Sequence, residues 1–126
     1  MFPKNSVQKE KEVKAMPMWN YKGKEFELDE DGYLTDWQVW EEGMADEMAK
    51  GDDTTLTEQH WEIIRFLRDY FTKYSIAPAI KMLIKEMTKN FGPDKGNQKY
   101  LYTLFPAGPA KQACRYAGLP KPTGCV

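Results

Sequence analysis

Apolar positions along the chain follow one two-residue rhythm and then five helical ones. In the stretch from Trp19 to Trp37, Phe26 and Leu28 alternate with Glu25 and Glu27, which is the period of a half-buried strand. Asp31-Gly32 is a hairpin-turn dipeptide and Tyr33-Leu34 can begin the returning strand, so a small β-hairpin is predicted there. A hairpin alone is marginal in water and must pack on helices. Trp37, Trp40, Met44 and Met48 then fall on one face of a first helix, capped by Thr35 or Asp36, running to about Lys50 and stopped by Gly51.

Thr57 caps a second helix through about Tyr74, with Trp61, Ile64, Leu67 and Phe71 inward. A third helix follows Ala77-Pro78, with Ile80, Leu83, Ile84 and Met87 on its apolar face and Lys81, Lys85 and Lys89 on another. A short fourth helix, about Asn97 to Phe105, buries Tyr100, Leu101, Leu104 and Phe105 and ends at Pro106. Pro109 suits the first position of a fifth, and Gly118 its C-terminal cap. Ala110, Ala113, Cys114 and Ala117 share one face of that helix.

The two ends differ. Residues 1–17 are polar, Lys-rich and aperiodic and read as a flexible tail. Residues 119–126, LPKPTGCV, hold two prolines and a glycine and read as an extended, mobile arm. The prediction is a mainly α protein: a small helical bundle over 18–118, with an N-terminal β-hairpin and a mobile C-terminal arm whose removal leaves the bundle folded.

With 126 residues and 41% hydrophobic content, the chain can form one domain with a modest core. No apolar run approaches a membrane span or the core of a signal peptide, so a cytoplasmic location is expected. Thiols there are mostly reduced, and two cysteines are better read as reactive, metal-binding or inert than as a staple. Net charge is −1 but unevenly placed: +4 over residues 1–24, −12 over 25–58 and +7 over 59–126. Either the C-terminal half meets something anionic or these are solvated helix faces.

Cys125 is the penultimate residue, on an arm whose prolines limit its freedom and whose Gly124 allows close approach to a wall. Arg115 and Lys121 would favour its thiolate, and the Val126 carboxylate would oppose it. Cys114, on the alanine-lined face, reads by itself as a buried small hydrophobe. Together, one mobile and one fixed thiol suit thiol exchange. His60, beside Trp61 near a helix start, reads as structural, and two cysteines and one histidine in scattered places make no zinc site. The second and third helices could form a helix-turn-helix with Lys81, Lys85 and Lys89 on phosphates, a DNA-binding alternative. A thiol oxidoreductase acting alone is a further alternative, but the chain has no C-x-x-C pair.

Three segments carry a resemblance: KGKEFELDEDGYLTDW, LTEQHWEIIRFLRDYF and KYLYTLFPAGPAKQACRYAGLPKPTGCV. They resemble the DsrC/TusE family over about residues 18–126. The ending GLPKPTGCV with a second cysteine eleven residues earlier resembles its DsrC branch, because TusE-type members generally keep only the penultimate cysteine. The resemblance implies a protein co-substrate rather than an enzyme, with no cofactor of its own. Its arm would enter dissimilatory sulfite reductase toward the siroheme. Cys125 would carry sulfur as a persulfide and join Cys114 through it in a trisulfide, reduced in turn by a membrane-bound complex. In sulfur oxidisers such a carrier works in the other direction, as a persulfide donor, and sulfurtransferases are further partners.

Overall fold

The computed structural model describes residues 17–122; most of the Lys-rich tail and the last four residues, Cys125 among them, lie outside the described residues. Strands β1 (Met18–Tyr21) and β2 (Lys24–Glu27) pair antiparallel, with Trp19 opposite Phe26 and Tyr21 opposite Lys24. The hairpin turns at Lys22-Gly23 rather than at Asp31-Gly32. Both residues have positive φ, 51° and 83°, as a tight two-residue turn requires. Residues 29–33 form a separate loop, closed at its root by a single bridge between Leu28 and Leu34. Tyr21, Leu34 and Met44 make a small apolar cluster under the hairpin, with Trp19, Phe26 and Trp40 against it.

The expected first helix is broken in two. Asp36 caps a 3-10 turn, Trp37–Val39, by accepting from the Gln38 N–H at 3.0 Å. Trp40 and Glu41 are then extended, and α1 runs only over Glu42–Gly51. Local periodicity loses here to a tertiary demand: Trp40 turns its indole N–H onto a distant carbonyl, Tyr116 O, at 2.8 Å.

The remaining helices follow the apolar pattern closely. Helix α2 (Glu58–Tyr74) starts at a capping box between Thr57 and His60 and buries Ile63, Ile64, Leu67 and Phe71. Helix α3 (Ile80–Phe91) buries Leu83 and Met87. Helix α4 (Gln98–Leu104) is capped by the Asn97 side chain, which accepts from the Tyr100 N–H at 3.1 Å. Helix α5 (Pro109–Tyr116) has its proline in the first turn and touches all four other helices. Its small inward residues, Ala110, Ala113 and Cys114, let four helices approach one short one.

Leu119 corrects the predicted boundary of the arm. It is fully buried in the main core, and its N–H donates to Cys114 O at 3.0 Å. Pro122 is buried too. Removing residues 119–126 would therefore take out part of the core. We expect Leu119→Ala to lower unfolding free energy by about 2–5 kcal/mol. Lys121→Ala, two residues on and half-exposed in an ion pair, should cost far less. Urea titration of both variants checks this; equal, small losses would return Leu119 to the arm.

Candidate functional site

The end of α5 places both the buried thiol and the root of the terminal segment. Gly118 adopts φ 71°, the left-handed conformation that closes a helix. Its N–H donates to Arg115 O at 3.1 Å, and the Leu119 N–H to Cys114 O. Two carbonyls beyond those are met by side chains: Trp40 Nε1 donates to Tyr116 O at 2.8 Å, and Arg68 Nη1 to Ala117 O at 3.2 Å. Arg68 also donates to Trp37 O at 2.8 Å and lies over the Trp40 ring, 4.4 Å from its centroid. Burial lowers the Arg68 pKa from its usual value. A side chain at position 118 would overlap Trp40, its Cβ falling 2.6 Å from Cγ, so glycine is needed for space as well as for φ.

A second network fixes another face of the helix. The Ala107 N–H donates to Gln112 Oε1 and Gln112 Nε2 to Tyr116 Oη, both at 2.8 Å. Tyr116 Oη in turn donates to Asp52 at 2.7 Å, and Arg115 pairs with the same carboxylate oxygen. Gln112 and Tyr116 are buried, so this chain of bonds satisfies polar atoms that would otherwise be costly.

Cys114 has no exposed surface, and burial pushes its thiol up to about 12. Since the thiolate is the nucleophile, the group is unreactive in this conformation. Tyr33 is also pushed up to about 12, first by burial and then by charge on Cys114, and both residues belong to the main core cluster. Tyr33 Oη donates to Lys111 O at 3.3 Å, one turn before Cys114 on α5. Tyr33, Lys111, Gln112 and Arg115 line a cleft of about 210 Å³, shared with Asp31 and Lys121; Cys114 does not reach its surface.

Arg115 and Lys121, read as partners of a Cys125 thiolate, are paired with Asp52 and Asp31. Cys125 itself lies outside the described residues. His60 is structural, as read: Nδ1 accepts from the Thr57 N–H at 3.0 Å, so Nε2 is the protonated nitrogen and donates to Leu104 O at 2.8 Å. Among the described residues no group of three or more His, Cys, Asp or Glu could hold a metal ion, and no helix is long and apolar enough to cross a membrane. Lys81, Lys85 and Lys89 are exposed on α3. Two residues were missed from sequence. Arg68 continues the Ile64 stripe at i+4, and a charge on an apolar face was its signal. Tyr33 was read only as the start of a strand.

The model of the family described as "DsrC like protein" matches residues 20–126, and the chain belongs to that family. It is 50% identical over 111 residues to the protein named Sulfurtransferase TusE of Photorhabdus laumondii, covering 88% of this chain and 100% of that one. The NMR structure of Allochromatium vinosum DsrC matches with TM-score 0.80 and 57% identity, covering 89% of this chain and 100% of that one. The crystal structure of the oxidized gamma-subunit of the dissimilatory sulfite reductase (DsrC) from Archaeoglobus fulgidus matches at 0.74 and 55%, covering 87% and 100%. None of these names concerns DNA, and the DNA-binding alternative draws no support from them.

The buried thiol has a consequence for stability. An unfolded cysteine loses its proton near pH 8.5, whereas folded Cys114 keeps it to about 12. Stability is therefore lost as pH rises through that window, because the folded chain binds the extra proton. The slope from this group is at most about 1.4 kcal/mol per pH unit. Denaturant unfolding from pH 8 to 11 should show a shallower decline for Cys114→Ala than for the parent; parallel curves would contradict the shift.

Proposed function

We propose that the protein is a sulfur carrier and redox co-substrate of dissimilatory sulfite reductase, with Cys125 as the sulfur-bearing thiol and Cys114 as the second. The observation that carries this reading is the place of Cys114. It sits in the last turn of the helix from which the terminal segment departs, and Cys125 follows eleven residues later. From Pro122, three more residues reach Cys125, a tether of about 10 Å. One thiol is thus fixed by the bundle, and the other can lie at most that far along the chain from Pro122. Membership of the DsrC-like family, and the presence of both cysteines, support the assignment.

The chemistry follows from electron counting. A Cys125 thiolate attacking the outer sulfur of a donor persulfide takes that sulfur and releases the donor's thiol, with no net oxidation. Joining Cys114 and Cys125 through one sulfur is different, because the two thiols give up two electrons and two protons. A sulfur delivered at oxidation state +2 by the reductase accepts those electrons and becomes the zero-valent central atom. Four electrons and four protons then return the trisulfide to two thiols and sulfide, the task of a membrane-bound redox complex. Sulfurtransferases are the partners for simple persulfide transfer. The chain accepts and presents sulfur rather than catalysing its reduction, in the reducing cytoplasm.

Intact-mass spectrometry tests this. After a persulfide donor, the parent and Cys114→Ala should each gain about 32 Da on Cys125, and Cys125→Ala should not. After turnover with the reductase, only the parent should form the intramolecular trisulfide. An undiminished trisulfide yield in the Cys114 variant would mean that the bridge forms between the Cys125 thiols of two molecules, and would remove Cys114 from the mechanism.

A further inference from the structure

The loop at residues 29–33 is built as a unit. Asp29 Oδ1 accepts from the N–H groups of Asp31 and Tyr33 at 2.8 and 2.9 Å. The Asp29 N–H donates to Tyr33 O at 2.7 Å, and the Gly32 N–H to Asp29 O at 3.0 Å. Four bonds within five residues make a small rigid body. Gly32, at φ 88°, rests near the Arg115 side chain.

By contrast, few polar contacts hold this body to α5. The Tyr33 hydroxyl meets Lys111 O at 3.3 Å, a long bond for a hydroxyl donor. Asp31 meets Lys121 Nζ at 2.7 Å, with both side chains about half exposed. Such pairs contribute little and exchange readily with water. Yet Tyr33 is 5% exposed, stands in the wall of the cleft with Lys111, Gln112 and Arg115, which flank Cys114 along the helix, and belongs to the same core cluster as that thiol, which the cleft does not reach. Lys121 belongs to the stretch that leads into the last four residues, so displacement of the terminal segment acts on this ion pair early.

Resting on Cys114 as the second thiol, we propose that residues 29–33 form a lid over Cys114, with the Tyr33 ring as its cover and the Lys121–Asp31 pair as its latch. When the terminal segment is drawn toward a partner, the latch opens and the lid loosens. When the segment returns, the thiol is already accessible through the cleft beside it, and re-pairing of Lys121 with Asp31 closes the lid again. Burial keeps Cys114 from stray oxidation while the segment is at rest. The opening is local, with α5 and its carbonyl partners left in place.

The experiment uses the full chain with Cys125→Ser, so that Cys114 is the sole thiol, and iodoacetamide as an uncharged probe read by mass spectrometry. In the parent background the modification rate should be nearly independent of urea at concentrations well below the unfolding transition. Lys121→Ala and Asp31→Asn should each raise the rate about three- to tenfold, and the double variant no further than either alone. Their unfolding midpoints should fall only by the little that loss of one exposed ion pair brings. Tyr33→Ala should raise the rate by more than about tenfold, while Tyr33→Phe, which keeps the ring, should stay within about twofold of the parent. If Tyr33→Ala does not fold, the two latch variants decide. A rate that climbs with urea as steeply as global unfolding, or latch variants that react at the parent rate, would overturn the lid. An opening lid in a protein that never forms the bridged product would overturn the sulfur-carrier role of Cys114 and leave the lid standing.

Discussion

The end of α5 is the constraint on which the rest of this structure depends. A helix terminus leaves backbone carbonyls without partners, and inside a core each must be met. Here the carbonyls of Cys114, Arg115, Tyr116 and Ala117 are taken in turn by the Leu119 and Gly118 N–H groups, the Trp40 indole and the Arg68 guanidinium. An unmet carbonyl would cost about 1–3 kcal/mol. Arg68 has no carboxylate partner among the described residues. Its charge lies instead at the negative end of a helix and over the face of a tryptophan, both of which favour a cation.

Two features of the site follow from that arrangement. Because the chain must turn at Gly118 and bury Leu119, Cys114 is held in the last turn with its carbonyl already committed and its thiol in the core. And because Trp40 is drawn to Tyr116 O, the segment before α1 cannot be helical, which delivers the loop at 29–33 and its tyrosine to the same side. The thiol is therefore both a good core residue and a poor nucleophile. Burial that stabilises the fold also keeps the proton on sulfur, so chemistry at Cys114 requires a change in what covers it.

Much of the fold was legible in advance because its signals are local. Thr57, Asn97 and Pro109 mark helix starts, Gly118 marks a stop, and the apolar stripes of α2, α3 and α4 have the helical period. The misreadings came from residues whose roles lie elsewhere in the chain. Asp31-Gly32 has the composition of a hairpin turn, but Lys22-Gly23 supplies the actual one, and the two dipeptides are distinguishable only by which strands can pair and pack. Trp37 and Trp40 fit a helical stripe, yet their partners are a helix end and an arginine far along the sequence. Leu119 looked like part of a Pro-rich arm because its neighbours are prolines and nothing nearby reveals the core it fills.

The candidate site divides along the same line. The two cysteines, their spacing and their family membership belong to the sequence, since covalent order alone places one thiol on a helix and another eleven residues later near the chain end. The protonation of Cys114, the pairing of Arg115 with Asp52 and of Lys121 with Asp31, and the burial of Tyr33 in the same core were decided only by tertiary structure. Burial and charge pairing depend on what surrounds a group in space, and the helix that carries Cys114 is packed by helices from all along the chain.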